Sequence, residues 1–85
     1  MKAITNHDEM NRRCRCLRRW YFSRLTCRHR SVERRAVLAE IGGTRHHFYH
    51  LLNFRTYIND DYMRAINHAA NRNCIPGLEV DIFAE

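Results

Sequence analysis

Residues 31–53 of the chain read SVERRAVLAEIGGTRHHFYHLLN, and this stretch determines the fold. Apolar residues surround most of the circumference of 32–41. They predict a helix that follows the N-cap residue Ser31 and lies centrally in a bundle. Gly42 and Gly43 end this helix, because glycine adopts the left-handed conformation of a helix C-terminus without steric strain. We therefore expect a short helix followed by a tight glycine turn.

A second short helix follows the turn. Thr44 is well suited to cap it, since a threonine oxygen accepts a hydrogen bond from an amide of the first helical turn. Its inner face carries Phe48, Leu51 and Leu52. Its outer face carries Arg45, His46, Tyr49, His50 and Asn53. This pattern predicts a helix that packs on one side and presents polar groups on the other.

Two further helices flank this pair. Asn6 and Glu9 resemble a capping box and predict a long Arg-rich first helix over about 7–28. Its apolar stripe consists of Met10, Cys14, Leu17, Tyr21 and Leu25.

Asn59 is expected to cap a fourth helix with acidic residues in its first turn. Its inward positions are Tyr62, Met63, Ile66, Ala69 and Ala70. The predicted fold is an all-α bundle of four to five helices.

The C-terminal end differs from the rest. Apolar and polar residues alternate along 78–82, which is typical of a short strand. A lone strand leaves its backbone groups without partners. Residues 78–85 are therefore expected either to pair with their copy in a second subunit, which predicts a homodimer, or to form an ordered tail.

Composition indicates a polyanionic partner. The chain has 85 residues, enough for a single domain, and a formal charge of +6, with arginine supplying 14 of its 15 cations. Eight of these arginines, and no acidic residue, fall between residues 10 and 30. The longest apolar run is far shorter than the roughly 20 residues of a membrane span, and the start of the chain does not read as a signal peptide. We expect a cytoplasmic protein with no membrane association.

The stretch quoted first resembles the helix-turn-helix of the Cro/lambda-repressor (XRE-type) family. That family combines a Leu-Ala-Glu-like helix, a glycine, one further residue, a capping Ser or Thr, and a recognition helix that closes in Leu-Leu-Asn. The resemblance covers 31–73 and implies a lambda-repressor-like bundle. Two positions depart from the family pattern, since Leu38 stands where a small Ala is usual and Gly43 where Val or Ile is preferred.

The resemblance implies a sequence-specific transcription regulator that binds double-stranded DNA, of the kind that phages and mobile elements encode. Its second helix would enter the major groove. The base-reading positions would be Arg45, His46, Tyr49 and His50. Phosphate contacts would come from Thr44, Asn53 and Arg55. The Arg-rich first helix would add Arg12, Arg15, Arg18 and Arg19.

Two other functions are compatible with the basic charge. Residues 11–20 are similar in composition to the Arg-rich RNA-binding helices of phage antitermination peptides. A small basic protein of this type can also bind or inhibit a host protein or nucleoprotein machine. Duplex DNA is the predicted partner, and RNA or a host protein is the alternative.

Metal binding and catalysis have less support. Cys14, Cys16, Cys27 and His29 are zinc-type ligands, but Cys16 and Cys27 would lie roughly 16 Å apart on a continuous helix. His46 and His50 are spaced to chelate one ion, but a third ligand is not evident. The sequence contains no His-Glu-x-x-His motif, Gly-rich phosphate loop or nucleophile with an evident base. We therefore predict no metal, no cofactor and no enzymatic activity.

Overall fold

The structure, a computed structural model, describes the backbone of residues 2–84 and the side chains of residues 7–84. The chain folds into four α-helices with a π-helical segment between the first two, and the described residues contain no strand. The elements are α1 (Lys2–Arg18), the π-helical segment (Arg19–Arg24), α2 (Cys27–Ile41), α3 (Arg45–Leu52) and α4 (Asp60–Ala70). The predicted all-α bundle is confirmed.

The first helix differs from its predicted form at both ends. Asn6 lies inside α1, so the predicted cap is wrong. The Glu9 carboxylate, which a capping box requires, accepts hydrogen bonds from Arg12 and Arg13 instead. After Arg18 the helix continues as the π-helical segment, in which Trp20 and Tyr21 are both buried. Widening of the helix here places two consecutive large aromatic side chains against the core.

α2 begins four residues before the predicted cap. The Thr26 carbonyl accepts hydrogen bonds from the amides of His29 and Arg30, so Ser31 lies inside the helix and the predicted Ser31 cap is wrong. The Arg30 guanidinium donates to the carbonyl of Tyr21 at 3.0 Å. This bond satisfies a carbonyl near the end of the π-helical segment, where no further helical turn is available.

α2 lies at the side of the bundle rather than at its centre, so that prediction is also wrong. Val37 is its one fully buried residue, whereas Val32 and Ala39 are exposed. α2 packs mainly against α4, and an ion pair of 2.5 Å between Glu33 and Arg72 closes the edge of this contact. The apolar residues around α2 therefore leave part of their surface in water.

The C-terminal end of α2 and the N-terminal ends of α3 and α4 lie where the sequence predicts them. Gly42 ends α2 with a φ of 79°, a left-handed backbone that favours glycine. The Thr44 hydroxyl oxygen accepts from the amide of His47 at 3.4 Å and caps α3. The Asn59 side chain accepts from the amide of Tyr62 at 2.8 Å and caps α4. All three were predicted because capping depends on residues close in sequence.

One core joins all four helices and the C-terminal tail. The inner faces predicted for α3 and α4 are confirmed, because the apolar residues of both helices lie in this core or pack against it. The buried cluster consists of Cys16, Leu17, Trp20, Tyr21, Val37, Phe48, Leu51, Leu52, Ile58, Ile66, Ala69, Ile82 and Phe83.

Residues 78–82 form an ordered tail, so the tail alternative is confirmed and the strand is not found. Asn71, the C-cap residue of α4, donates to the carbonyl of Val80 at 2.7 Å and accepts from its amide at 2.9 Å. One turn earlier, Asn67 accepts from the amide of Ile82 at 2.9 Å. Two amide side chains thus replace the neighbouring strand. The carbonyl and amide of Val80 and the amide of Ile82 thus have partners in their own chain.

Candidate nucleic-acid interface

α3 presents polar side chains because its opposite face is buried. Arg45 and His46 are exposed, and His50 is half-buried. Thr44 at the beginning of α3 and Arg55 just past its end are also exposed. The inner face consists of Phe48, Leu51 and Leu52, which water does not reach. The structure therefore leaves Thr44, Arg45, His46 and Arg55 accessible on and around α3.

The turn before α3 requires its second glycine. Gly43 has a φ of 97°, and a Cβ atom added there would lie 2.9 Å from the ring of His47. A branched residue such as Val or Ile would meet both backbone strain and this contact. The departure from the family pattern at this position thus has a local cause, because the glycine lets the turn lie directly against His47 of α3.

Tyr49 does not share the outward direction of its neighbours on α3. It is half-buried and packs against the core, close to Tyr21, whose hydroxyl accepts a hydrogen bond from Arg34 at 3.3 Å. Burial raises the pKa of the Tyr21 hydroxyl, so it keeps its proton at neutral pH. Tyr49 connects α3 to the π-helical segment and lies at the edge of the predicted base-reading surface rather than on it.

His46 and His50 lie next to each other on the exposed face. Their ring centres are 4.6 Å apart and their planes are inclined at 63°. The spacing of four residues brings side chains together one helical turn apart. The middle of the exposed face is therefore occupied by two imidazole rings in contact.

Arg18 is engaged within the protein. Its guanidinium donates to the carbonyl of Leu52 at 2.9 Å and to the side-chain oxygen of Asn53 at 3.4 Å, and it lies 5.2 Å from the ring centre of Phe22. A cation at this position stabilises the C-terminus of α3, where carbonyl groups lack helical partners. Arg18 thus fixes the end of α3 and orients Asn53.

Arg12 also has internal partners. It makes two hydrogen bonds to the Glu9 carboxylate and a third to the carbonyl of Phe83 in the tail. Sequence reasoning assigned Arg12 and Arg18 to phosphates and missed these contacts. The positions of Arg12 and Arg13, three and four residues after Glu9, were the signal that could have revealed the pairing on α1.

Other arginines remain at the surface. Arg15 on α1 and Arg19 at the beginning of the π-helical segment are exposed, and both are near in sequence to Arg18, which contacts the end of α3. The further exposed arginines are Arg24, Arg28, Arg35, Arg45, Arg55, Arg64 and Arg72. Arg15, Arg18 and Arg19 therefore form a basic strip that contacts the C-terminal end of α3 through Arg18.

The four zinc-type ligands considered above are not brought together. Cys14 and Cys16 are buried and donate to carbonyl oxygens of α3 and of the tail, respectively, and burial raises the pKa of the Cys14 thiol. Cys27 and His29 are exposed at the beginning of α2. Across the described residues, no three His, Cys, Asp or Glu side chains are placed to share one ion.

Glu9 gives the bundle a pH-dependent contact. Hydrogen bonds from Arg12 and Arg13 lower the pKa of its carboxyl group from 4.5 to about 2. A lowered pKa stabilises the fold above pH 4.5, and this contribution is lost as the pH falls towards 2. Because the side chain is 29% exposed, we expect the loss to reach only about 1–2 kcal/mol.

The measurement is urea unfolding of the wild type and of Glu9→Gln between pH 2 and 6. The variant is expected to show a weaker pH dependence in this range. Asp8→Asn, which changes the adjacent exposed carboxylate, serves as the control and should follow the wild type. Identical pH profiles for Glu9→Gln and the wild type would contradict the assignment of the pH-dependent stability to the Glu9 carboxylate.

A separate cleft of about 560 Å³ runs along α4. Its lining residues are Arg64, Asn67, His68, Asn71, Arg72 and Glu79. Each of its three basic side chains has an acidic partner, namely Asp61, Glu40 and Glu33, respectively. The two asparagines bind the tail. The polar groups of this cleft thus hold the fold together, in contrast to the outward groups of α3.

Comparisons of the chain with protein-family models, with curated proteins and with solved structures find no match. Among the described helices, none is long and apolar enough to cross a membrane. The fold and the site define a small all-α bundle in which two helices, joined by a glycine turn, present one exposed polar face beside a basic strip.

Proposed function

We propose that this protein binds double-stranded DNA through α3 and acts as a helix-turn-helix transcription regulator. The observation that carries this proposal is the connection between α2 and α3. α2 ends at Gly42, Thr44 caps α3, and α3 buries one face while it exposes the other. In helix-turn-helix proteins the second helix lies in the major groove and reads base edges with such outward side chains.

The exposed side chains suit base recognition. Arg45, in the first turn of α3, has the planar group that makes two hydrogen bonds to guanine. His46 and His50 add ring nitrogens that donate or accept according to their protonation. Tyr49 has a different proposed role, since its side chain packs against the core and supports the orientation of α3.

Phosphate contacts are proposed for the residues around α3. Thr44, Asn53 and Arg55 lie at the ends of the helix, and Arg15 and Arg19 extend the surface along α1. Arg18 bonds to the end of α3, and Arg12 bonds to the tail. These two arginines hold the surrounding residues in place, and we do not assign them to phosphates. Electrostatic contacts of this kind supply much of the affinity for DNA and make it depend on salt.

The hydrogen bonds that arginines make within the protein favour duplex DNA over RNA as the partner. Several of the arginines between residues 10 and 30, among them Arg12, Arg13, Arg18 and Arg30, have hydrogen-bond partners within the protein. Arg-rich RNA-binding helices use their guanidinium groups on the nucleic acid itself. α1 therefore fits the role of a packed support for α3 better than that of an independent RNA-binding helix.

Replacing Arg45 with alanine is the direct test. After enrichment of a preferred site from random duplexes, Arg45→Ala is expected to weaken binding to that site by about 1–3 kcal/mol and to reduce discrimination among sequences. Arg64→Ala is the matched control, because Arg64 is exposed on α4 and pairs with Asp61. It should leave site preference unchanged. An unchanged preference in a folded Arg45→Ala protein would contradict the assignment of α3.

A salt series completes the experiment. The three arginines proposed to contact phosphates correspond to a slope of about −3 in log K against log salt concentration, and Arg15→Ala should reduce the slope by about one unit without changing site preference. Preferred binding to hairpin RNA would indicate the RNA alternative. Absence of binding to duplex, hairpin and single strands would instead indicate a protein partner.

A further inference from the structure

The histidines of the chain differ in what their rings contact. His29 is hydrogen-bonded to Thr26 at 2.8 Å, and His68 to Glu40 at 2.9 Å. For His46 and His50, in contrast, the described residues provide no hydrogen-bond partner to either ring, although the two rings contact each other. Their nitrogen atoms are therefore available to a ligand from outside the protein.

The spacing of these rings suits a shared metal ion. Two nitrogen atoms bound to one zinc ion at 2.0–2.1 Å lie at most about 4.2 Å apart. Imidazole nitrogens lie at the ring edge, so rings with centres 4.6 Å apart bring two nitrogens within this distance by side-chain rotation. We propose that His46 and His50 form a binding site for one divalent transition-metal ion on the exposed face of α3.

The chemistry of the donors defines the class of ion. Neutral imidazole binds Zn²⁺, Ni²⁺ and Cu²⁺, whereas Mg²⁺ and Ca²⁺ prefer oxygen ligands. α3 contains no carboxylate, so the site offers nitrogen without compensating negative charge. The site selects nitrogen-preferring ions over the two hard cations.

Two protein ligands leave the ion with open positions. A structural zinc site uses four protein ligands and a catalytic site usually three. The site on α3 is therefore an exchangeable one, and water fills the remaining positions. The ion adds little to the stability of the bundle, because both ligands lie on the same helix.

The consequence for DNA binding rests on the proposed function. His46 and His50 are then also base-reading residues, and an ion bound to their nitrogens removes these hydrogen-bonding groups from the surface. Metal and duplex DNA compete for the same face of α3. The metal site itself is independent of this point, and it is tested without DNA.

The test is calorimetric titration of the full chain with nickel chloride at pH 7.5. Cys27→Ser and Cys74→Ser are introduced first, since both thiols are exposed and bind metals themselves. We expect one ion per chain. His46→Ala and His50→Ala should each weaken binding by at least about tenfold, a loss seen even for residues that only support metal ligands.

The matched control is His68→Ala, which removes an exposed histidine from α4 and should leave nickel affinity unchanged. Unchanged affinity in folded His46→Ala, or equal binding of magnesium, would overturn the proposal. A failure of this titration leaves the DNA experiments unaffected, and the two inferences are thereby separated.

Discussion

Replacement of Phe83 by alanine is expected to lower the free energy of unfolding by about 3–5 kcal/mol. Phe83 is 3% exposed and belongs to the buried cluster, although it stands two residues from the end of the chain. An 85-residue domain has a total stability of about 4–13 kcal/mol. The substitution should therefore remove a large part of the stability, which chemical denaturation of the purified variant would measure.

Leu78→Ala is the matched control within the tail. Leu78 is 65% exposed, so its truncation is expected to change the stability by no more than about 0.5 kcal/mol. A loss below 1 kcal/mol in Phe83→Ala would show that the tail is not part of the core. Similar losses for both variants would also contradict the burial that distinguishes them.

The tail shows why the alternation of residues could not determine its structure. The pattern over 78–82 correctly indicated an extended backbone that needs partners, but many groups can serve as those partners. Here Asn67 and Asn71 provide them. Asparagines in a helix are ordinarily read as solvent-facing, and the approach of the tail to α4 depends on the tertiary packing of Ile82. Sequence patterns alone do not report such a long-range contact.

Local chemistry was predictable where long-range chemistry was not. Gly42, Thr44 and Asn59 mark helix ends through conformation or bonds to residues at most four positions away, and all three positions agree with the structure. The predicted caps at Asn6 and Ser31 fail because helices can continue through a residue that is able to cap them. Competing bonds from residues further along the chain decide which outcome occurs.

In the candidate site, too, local features could be predicted from the sequence and long-range contacts could not. The outward positions of Arg45 and His46 were predictable from the period of α3, since a buried face fixes an exposed one. Tyr49 lies at the edge of that face, and its direction depends on Tyr21 from another element. Counting arginines revealed the net charge, but not that Arg18 and others are bonded within the protein.

Arg13→Met is expected to lower the free energy of unfolding by about 3 kcal/mol. The Arg13 guanidinium contacts the Glu9 carboxylate at 2.7 Å, the carbonyl of Ile58 at 2.8 Å and the carboxylate of Asp60 at 3.0 Å. It thus connects α1 to the loop before α4 and to α4 itself. Methionine retains much of the apolar stem but leaves the Ile58 carbonyl without its charged donor, and a buried acceptor without a partner is costly.

Arg15→Met provides the comparison, because it makes the same chemical change two residues along the same helix. Arg15 is exposed, so the variant should differ from the wild type by no more than about 0.5 kcal/mol in urea unfolding. The two variants should behave oppositely in DNA binding. Arg15→Met should reduce affinity and its salt dependence with an intact fold, whereas Arg13→Met should lose stability and keep the affinity of its folded fraction. Equal losses of stability in both variants would show that the position of an arginine on α1 does not decide its role.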